Sequence, residues 1–139
     1  MMKIVRNILA VVLGLAVTML VNGGLISLGG SLVPPPAGMN PNDLESVRAH
    51  THLFEAKHFL MPFLAHALGS LAGGCLAALI AANRKMTFAL IIGCAHLLGG
   101  IAAAYLVPAP VWFLVSDLVV AYLPAAWLGG KLGGGSRAV

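Results

Sequence analysis

Four long apolar runs, Ile8 to Val33, Phe59 to Ala82, Met86 to Val107 and Val111 to Gly130, take up nearly the whole chain. At ~1.5 Å of rise per residue each reaches across a bilayer hydrocarbon core of ~30 Å. Hydrophobic residues make up 60% of the sequence and charged residues 9%, with a mean hydropathy of +0.97. A soluble globule of 139 residues has no means of covering itself with so little polar surface. The runs are rich in Ala, Leu and Gly and lack period-two alternation, which excludes barrel strands and points to helices that close their backbone bonds within each segment. The expected fold is all-α, a single transmembrane domain built as a four-helix bundle with helices at about 8–33, 56–82, 86–107 and 111–130.

The basic start followed by an apolar stretch has the outline of a signal peptide, but the run continues too far and no Ala-x-Ala site closes it. It reads as a retained first helix, stopped by Pro34-Pro35-Pro36, and the chain as a multi-pass protein of a bacterial inner membrane. Lys3 and Arg6 precede the first run, Arg84 and Lys85 join the second to the third, and Lys131 and Arg137 follow the fourth. All six fall on one side, which the positive-inside rule makes cytoplasmic together with both termini. The other side has Arg48 and Lys57 accompanied by Asp43, Glu45 and Glu55. The net charge of +4 is therefore a topology signal; no aromatic-studded basic patch points to nucleic acid, and the expected partner is the lipid bilayer.

Residues 34–55 form the one sizeable segment outside the runs. Asn42-Asp43-Leu44-Glu45 reads as an N-cap at Asn42 with Glu at the third helical position, so a short helix is expected there. Leu44, Val47 and Phe54 recur at helical spacing and lay that helix along the outer interface. The segment also holds His50, His52, Glu55 and His58, and a second helix starting near Leu53 would align Glu55, His58, Pro62 and His66 in one stripe. Glu55-x-x-His58 has the spacing at which one helix supplies two metal ligands. A zinc-type site of His52, Glu55 and His58 is one reading, and hydrated interface side chains are the other. No other cofactor is expected.

Polar groups inside the bilayer are costly and are functional candidates by default. Each run carries one: Asn22, His66, His96 and Asp117. Counted along the helices, Asp117 falls between the two histidines in depth, so it is expected to hydrogen-bond at least one of them, the imidazole sharing the proton or balancing the charge. The two histidines lie in similar surroundings, Ala65-His66-Ala67-Leu68-Gly69 and Ala95-His96-Leu97-Leu98-Gly99, an Ala-His-x-Leu-Gly-x-x-Ala pattern that suits either an inverted repeat or chance. Gly69 and Gly73, and Gly99 or Gly100 with Ala103, give small-residue spacings that let helices approach within the chain or in a homo-oligomer. Pro62 and Pro124 are expected to kink their helices. Cys75 and Cys94 are read as packing residues, Trp112 and Trp127 as interfacial anchors, and the run from Gly129 to Gly135 as a helix stop and flexible end.

The stretches His52 to Phe59, Phe63 to Gly69 and Asp117 to Pro124 resemble a group of small bacterial four-helix membrane proteins, over nearly the whole length. That resemblance implies the architecture and carries no activity. Three readings follow from the residues: a transport or permeation protein with His66, His96 and Asp117 as a titratable path; an accessory subunit of a larger membrane complex whose polar groups bind helices together; and a membrane enzyme using the outer His and Glu residues.

Overall fold

The computed structural model describes residues 1–135, so Arg137 lies outside the described residues. Among these residues the protein is entirely helical: α1 (Met2–Leu32), α2 (Leu44–His50), α3 (Ala56–Ile80), α4 (Lys85–Leu106), α5 (Val111–Val120) and α6 (Leu123–Gly130). α1, α3, α4 and the stretch Val111–Gly135 are each long and apolar enough to cross a membrane, and together they make a four-helix bundle.

α1 starts at Met2 rather than near residue 8. Nothing in Lys3 to Asn7 breaks a helix, and the polar residues of that first turn have partners at the end of α3. Arg6 donates from Nε and Nη2 to Ile80 O at 3.1 and 2.9 Å, and Asn7 Oδ1 accepts from the Ala82 N–H at 2.9 Å. Val33, ahead of the triproline, is pushed to extended backbone and ends the helix. α2 is capped by Asp43, one residue later than expected, whose carboxylate accepts from the Glu45 and Ser46 N–H groups, each at 3.3 Å. Glu45 therefore sits at the second helical position, where it pairs with Arg48 at 3.1 Å. Arg48 also donates from Nε to Leu106 O at 2.6 Å, tying α2 to the end of α4.

α3 is the central helix, packed on α1, α4 and α6, and Pro62 leaves it continuous. Its glycines make this possible. A Cβ on Gly73 would overlap Thr18 Oγ1 and stand 2.6 Å from Gly14 O, so α1 and α3 meet backbone to backbone. On the far side a Cβ on Gly74 would lie 2.8 Å from Ala126 O, and one on Gly129 would lie 2.8 Å from Cys75 N. Gly133 packs in turn under Cys75 O. The end of the fourth run is thus docked on α3 as far as Gly133, where a flexible end was expected.

The fourth run is broken, because Pro124 has no N–H to offer and its ring excludes the carbonyl of Val120. α5 ends at Val120 and α6 begins at Leu123, with Ala121 and Tyr122 in the turn. Cys75 and Cys94 are free thiols. Trp112 and Trp127 are both largely exposed at opposite ends of the fourth run, the latter beneath the Lys131 ammonium, which lies 3.7 Å from the ring centroid.

Candidate functional site

α3 and α4 are antiparallel neighbours, and this brings His66 and His96 together with ring centroids 5.8 Å apart. The break before α6 adds two more groups. Asp117, on the last turns of α5, accepts a bifurcated hydrogen bond from His66 Nδ1 at 2.9 Å to Oδ1 and 3.0 Å to Oδ2. Tyr122, in the break, folds its ring back so that its hydroxyl donates to Asp117 Oδ2 at 3.0 Å. An unbroken helix would direct a residue five positions on away from Asp117. The ring fits because Gly100 faces it: a Cβ there would overlap Tyr122 Oη and Cζ. Tyr122 then packs against both imidazoles, stacked on His66 at 5.2 Å and edge-on to His96 at 5.1 Å.

One turn farther from the α2 end, His96 Nδ1 shares a hydrogen bond of 2.8 Å with Ser70 Oγ. Asp117 and His96 are each 4% exposed and Tyr122 and Ser70 fully buried, so this is the interior of the bundle. Gly69 makes room for His96, whose Cε1 lies 3.3 Å from where a glycine Cβ would stand; Gly73, by contrast, receives Thr18 of α1. Asn22 is the expected member left outside the network: its Cβ flanks Gly69, but its buried Oδ1 has no partner. Gly99 has open space where its side chain would be, so the packing position on α4 is Gly100.

A crevice of about 140 Å³ leads to this cluster from the α2 end. Phe54, His58, Val107 and Ala109 stand at its mouth, and His66, Gly100 and Asp117 at its floor. On α3, α4 and α5 alike, seven or eight residues separate mouth from floor, a depth of ~12 Å at ~1.5 Å per residue. The walls are apolar, with Phe59, Ala103, Ala104 and Phe113 among them. A second cavity of about 390 Å³ lies on the other side of His58 and Pro62, under the Pro-rich loop.

The outer residues His52, Glu55 and His58 do not converge. His52 is exposed, Glu55 pairs with Lys57 at 3.0 Å, and His58 Nδ1 accepts from the Glu55 backbone N–H at 2.9 Å. The hydrogen bond and charge of Lys57 hold the Glu55 carboxyl below the usual carboxylate range. Among the described residues no three His, Cys, Asp or Glu side chains are grouped to hold a metal ion. Sequence reasoning missed Tyr122 and Ser70. Ser70 follows His66 by one helical turn and so shares its face; the only signal for Tyr122 was Pro124.

Chemically, the cluster is one carboxylate held by two donors, with His66 presenting Nδ1–H to it and leaving Nε2 without a partner among the described residues. An imidazole so placed has one ring nitrogen committed to the carboxylate and the other open to a further partner. Comparison of the chain with protein-family models, with curated protein sequences and with solved structures gives no match.

Proposed function

We propose that this small integral membrane protein is a proton-linked transport or permeation protein of a bacterial inner membrane, with both termini cytoplasmic and the crevice open to the outer side. The observation that carries the reading is the ionisable pair His66–Asp117 at the floor of a crevice ~12 Å deep. An intramembrane carboxylate costs free energy to keep, and placing it at the floor of a crevice gives that cost a use. Protons entering past His58 at the mouth reach His66 at the floor and are held there by Asp117. Beyond the cluster the helices close on one another through Gly73, Gly74 and Gly93, so release to the other side requires a second arrangement of the helices. The broken fourth run supplies a place for such movement, since the turn at Ala121 and Tyr122 has no continuous helical ladder to resist it.

The test is proton flux in liposomes reconstituted with the full chain and loaded with a pH-sensitive dye. An imposed pH gradient decays faster with the wild type than in empty liposomes, and Asp117→Asn and His66→Ala return the decay to the background. A wild type indistinguishable from empty liposomes would sink the reading.

A second reading has its own observation: every hydrogen-bonded group of the cluster finds its partner inside the chain, as expected where polar groups only bind helices together in an accessory subunit. Such bonds contribute ~0.6 kcal/mol each in a bilayer. On that reading the same two variants lower the thermal midpoint in detergent, and neither they nor the wild type carry protons.

A further inference from the structure

Within the four apolar runs Asp117 is the only acidic residue, and no Lys or Arg lies there at all. The carboxylate therefore has no fixed counter-charge. Its neighbours in the bundle are His66 on α3, His96 on α4 and Tyr122 in the break; α1 contributes only the uncharged Thr18 and Asn22, and His58 stands at the mouth, where Lys57 is paired with Glu55. Electroneutrality at the floor is met in two ways: by a proton held on the His66–Asp117 pair, or by a cation that enters the crevice.

The crevice says which kind of cation. Hard metal ions require several oxygen ligands in place of their hydration shell. Here the walls are Phe, Pro, Gly, Ala, Leu and Val, and the only polar side chains among the lining residues are His58, His66 and Asp117. Aromatic faces and a carboxylate suit instead a cation whose charge is clothed in carbon. Phe59 and Phe113 stand with ring centroids 4.7 Å apart, and Phe54 packs on Phe59 at 5.8 Å, so the wall leading down to Asp117 is aromatic. A volume of about 140 Å³ is that of roughly four to five waters at ~30 Å³ each, which admits a group of a few heavy atoms.

Resting on the reading of the His66–Asp117 pair as a proton site, we propose that the crevice binds a small organic ammonium ion against Asp117, in exchange for the proton on that pair. The charges balance: the loaded pair is an imidazolium beside a carboxylate; when the ammonium arrives, His66 releases its Nε2 proton to water in the crevice and stays neutral, and the ammonium takes over as counter-ion.

The experiment is calorimetric titration of tetramethylammonium into the full chain in lipid nanodiscs, in buffers of different ionisation heat, with tert-butanol as the uncharged probe of similar size. Expected are saturable binding of the cation, release of up to one proton, an affinity that falls by up to tenfold per pH unit on acidification, and no saturable binding of tert-butanol. Asp117→Asn lowers the affinity at least tenfold while Asp117→Glu retains it, and Phe113→Ala weakens it roughly three- to tenfold. Failure of the cation to bind, equal binding of tert-butanol, or undiminished binding by a folded Asp117→Asn protein would overturn the proposal. If no cation binds but Asp117-dependent proton flux is present, this inference falls alone; if the cation binds with proton release and the wild type carries no protons, the site stands and the transport reading falls.

Discussion

Asp117 sets the terms for every side chain around it. A carboxylate in a bilayer interior has to be given hydrogen-bond donors, here His66 and Tyr122, and the second needs a glycine to reach it, since the Tyr122 ring lies on Gly100. The donor and its seat can be separated experimentally. Tyr122→Phe keeps the ring on Gly100 and removes one donor, so it lowers stability by about 0.6 kcal/mol, rising toward ~1.5–3 if the bond to the carboxylate counts as charge-assisted. Gly100→Ala leaves the donor but drives a methyl group into the ring, and overpacking of this kind costs ~1–3 kcal/mol. Denaturation of both variants in mild detergent measures the two terms; equal stability of Gly100→Ala and wild type would mean that Tyr122 does not sit where it is described. At this scale the sequence was partly legible. Counting depth along the helices brings Asp117 level with the histidines, because rise per residue is fixed. It gives no hint that Tyr122 turns back on Asp117, since that depends on where the backbone breaks.

Helices in this bundle are held by contact between backbones, and which glycines matter depends on azimuth. Gly99 and Gly100 are adjacent and both fit a small-residue spacing, yet successive residues point ~100° apart around a helix, and only Gly100 faces the bundle. Sequence could not choose between them, because Ala, Leu and Gly cover every face of these spans and the hydrophobic pattern carries no direction. Paired substitutions test the assignment. Gly73→Ala places a methyl group on Thr18 and on the Gly14 carbonyl and must push α1 off α3, at a cost of ~1–3 kcal/mol. Gly99→Ala meets nothing and gains helix propensity, for a change between neutral and ~1 kcal/mol of stabilisation. A reversal of that order in thermal unfolding would show that α4 is rotated. The break in the fourth run belongs to the same scale: Pro124 announced a kink, and what the sequence could not convey is that the helix stops altogether and restarts at Leu123.

The expected lie of the whole molecule in its membrane rests on where its basic residues fall. The cations at the α2 end are spoken for: Arg48 is bound to Glu45 and the Leu106 carbonyl, and Lys57 to Glu55. At the opposite end no acidic residue accompanies Lys3, Arg6, Arg84, Lys85 and Lys131; Arg6 meets only a helix-terminal carbonyl and Lys131 only an indole ring. The positive-inside rule counts Lys and Arg near the span ends and gives acidic residues little weight, so the expected orientation rests on the excess of basic residues at the end opposite α2. In the proposed topology the crevice mouth, on the α2 end, faces out. Cysteines placed at Asn42, beside α2, and at Asn83, between α3 and α4, report the orientation, with Cys75 and Cys94 left in place because both lie within membrane spans. A membrane-impermeant maleimide added to intact cells labels Asn42→Cys at once and labels Asn83→Cys only after the membrane is opened. The opposite pattern would put the mouth of the crevice, and with it His66 and Asp117, in contact with the cytoplasm, and the direction of proton entry would be reversed. Equal labelling of both would mean that the chain inserts both ways round, and the excess of Lys and Arg at one end would then have failed as the determinant of its topology.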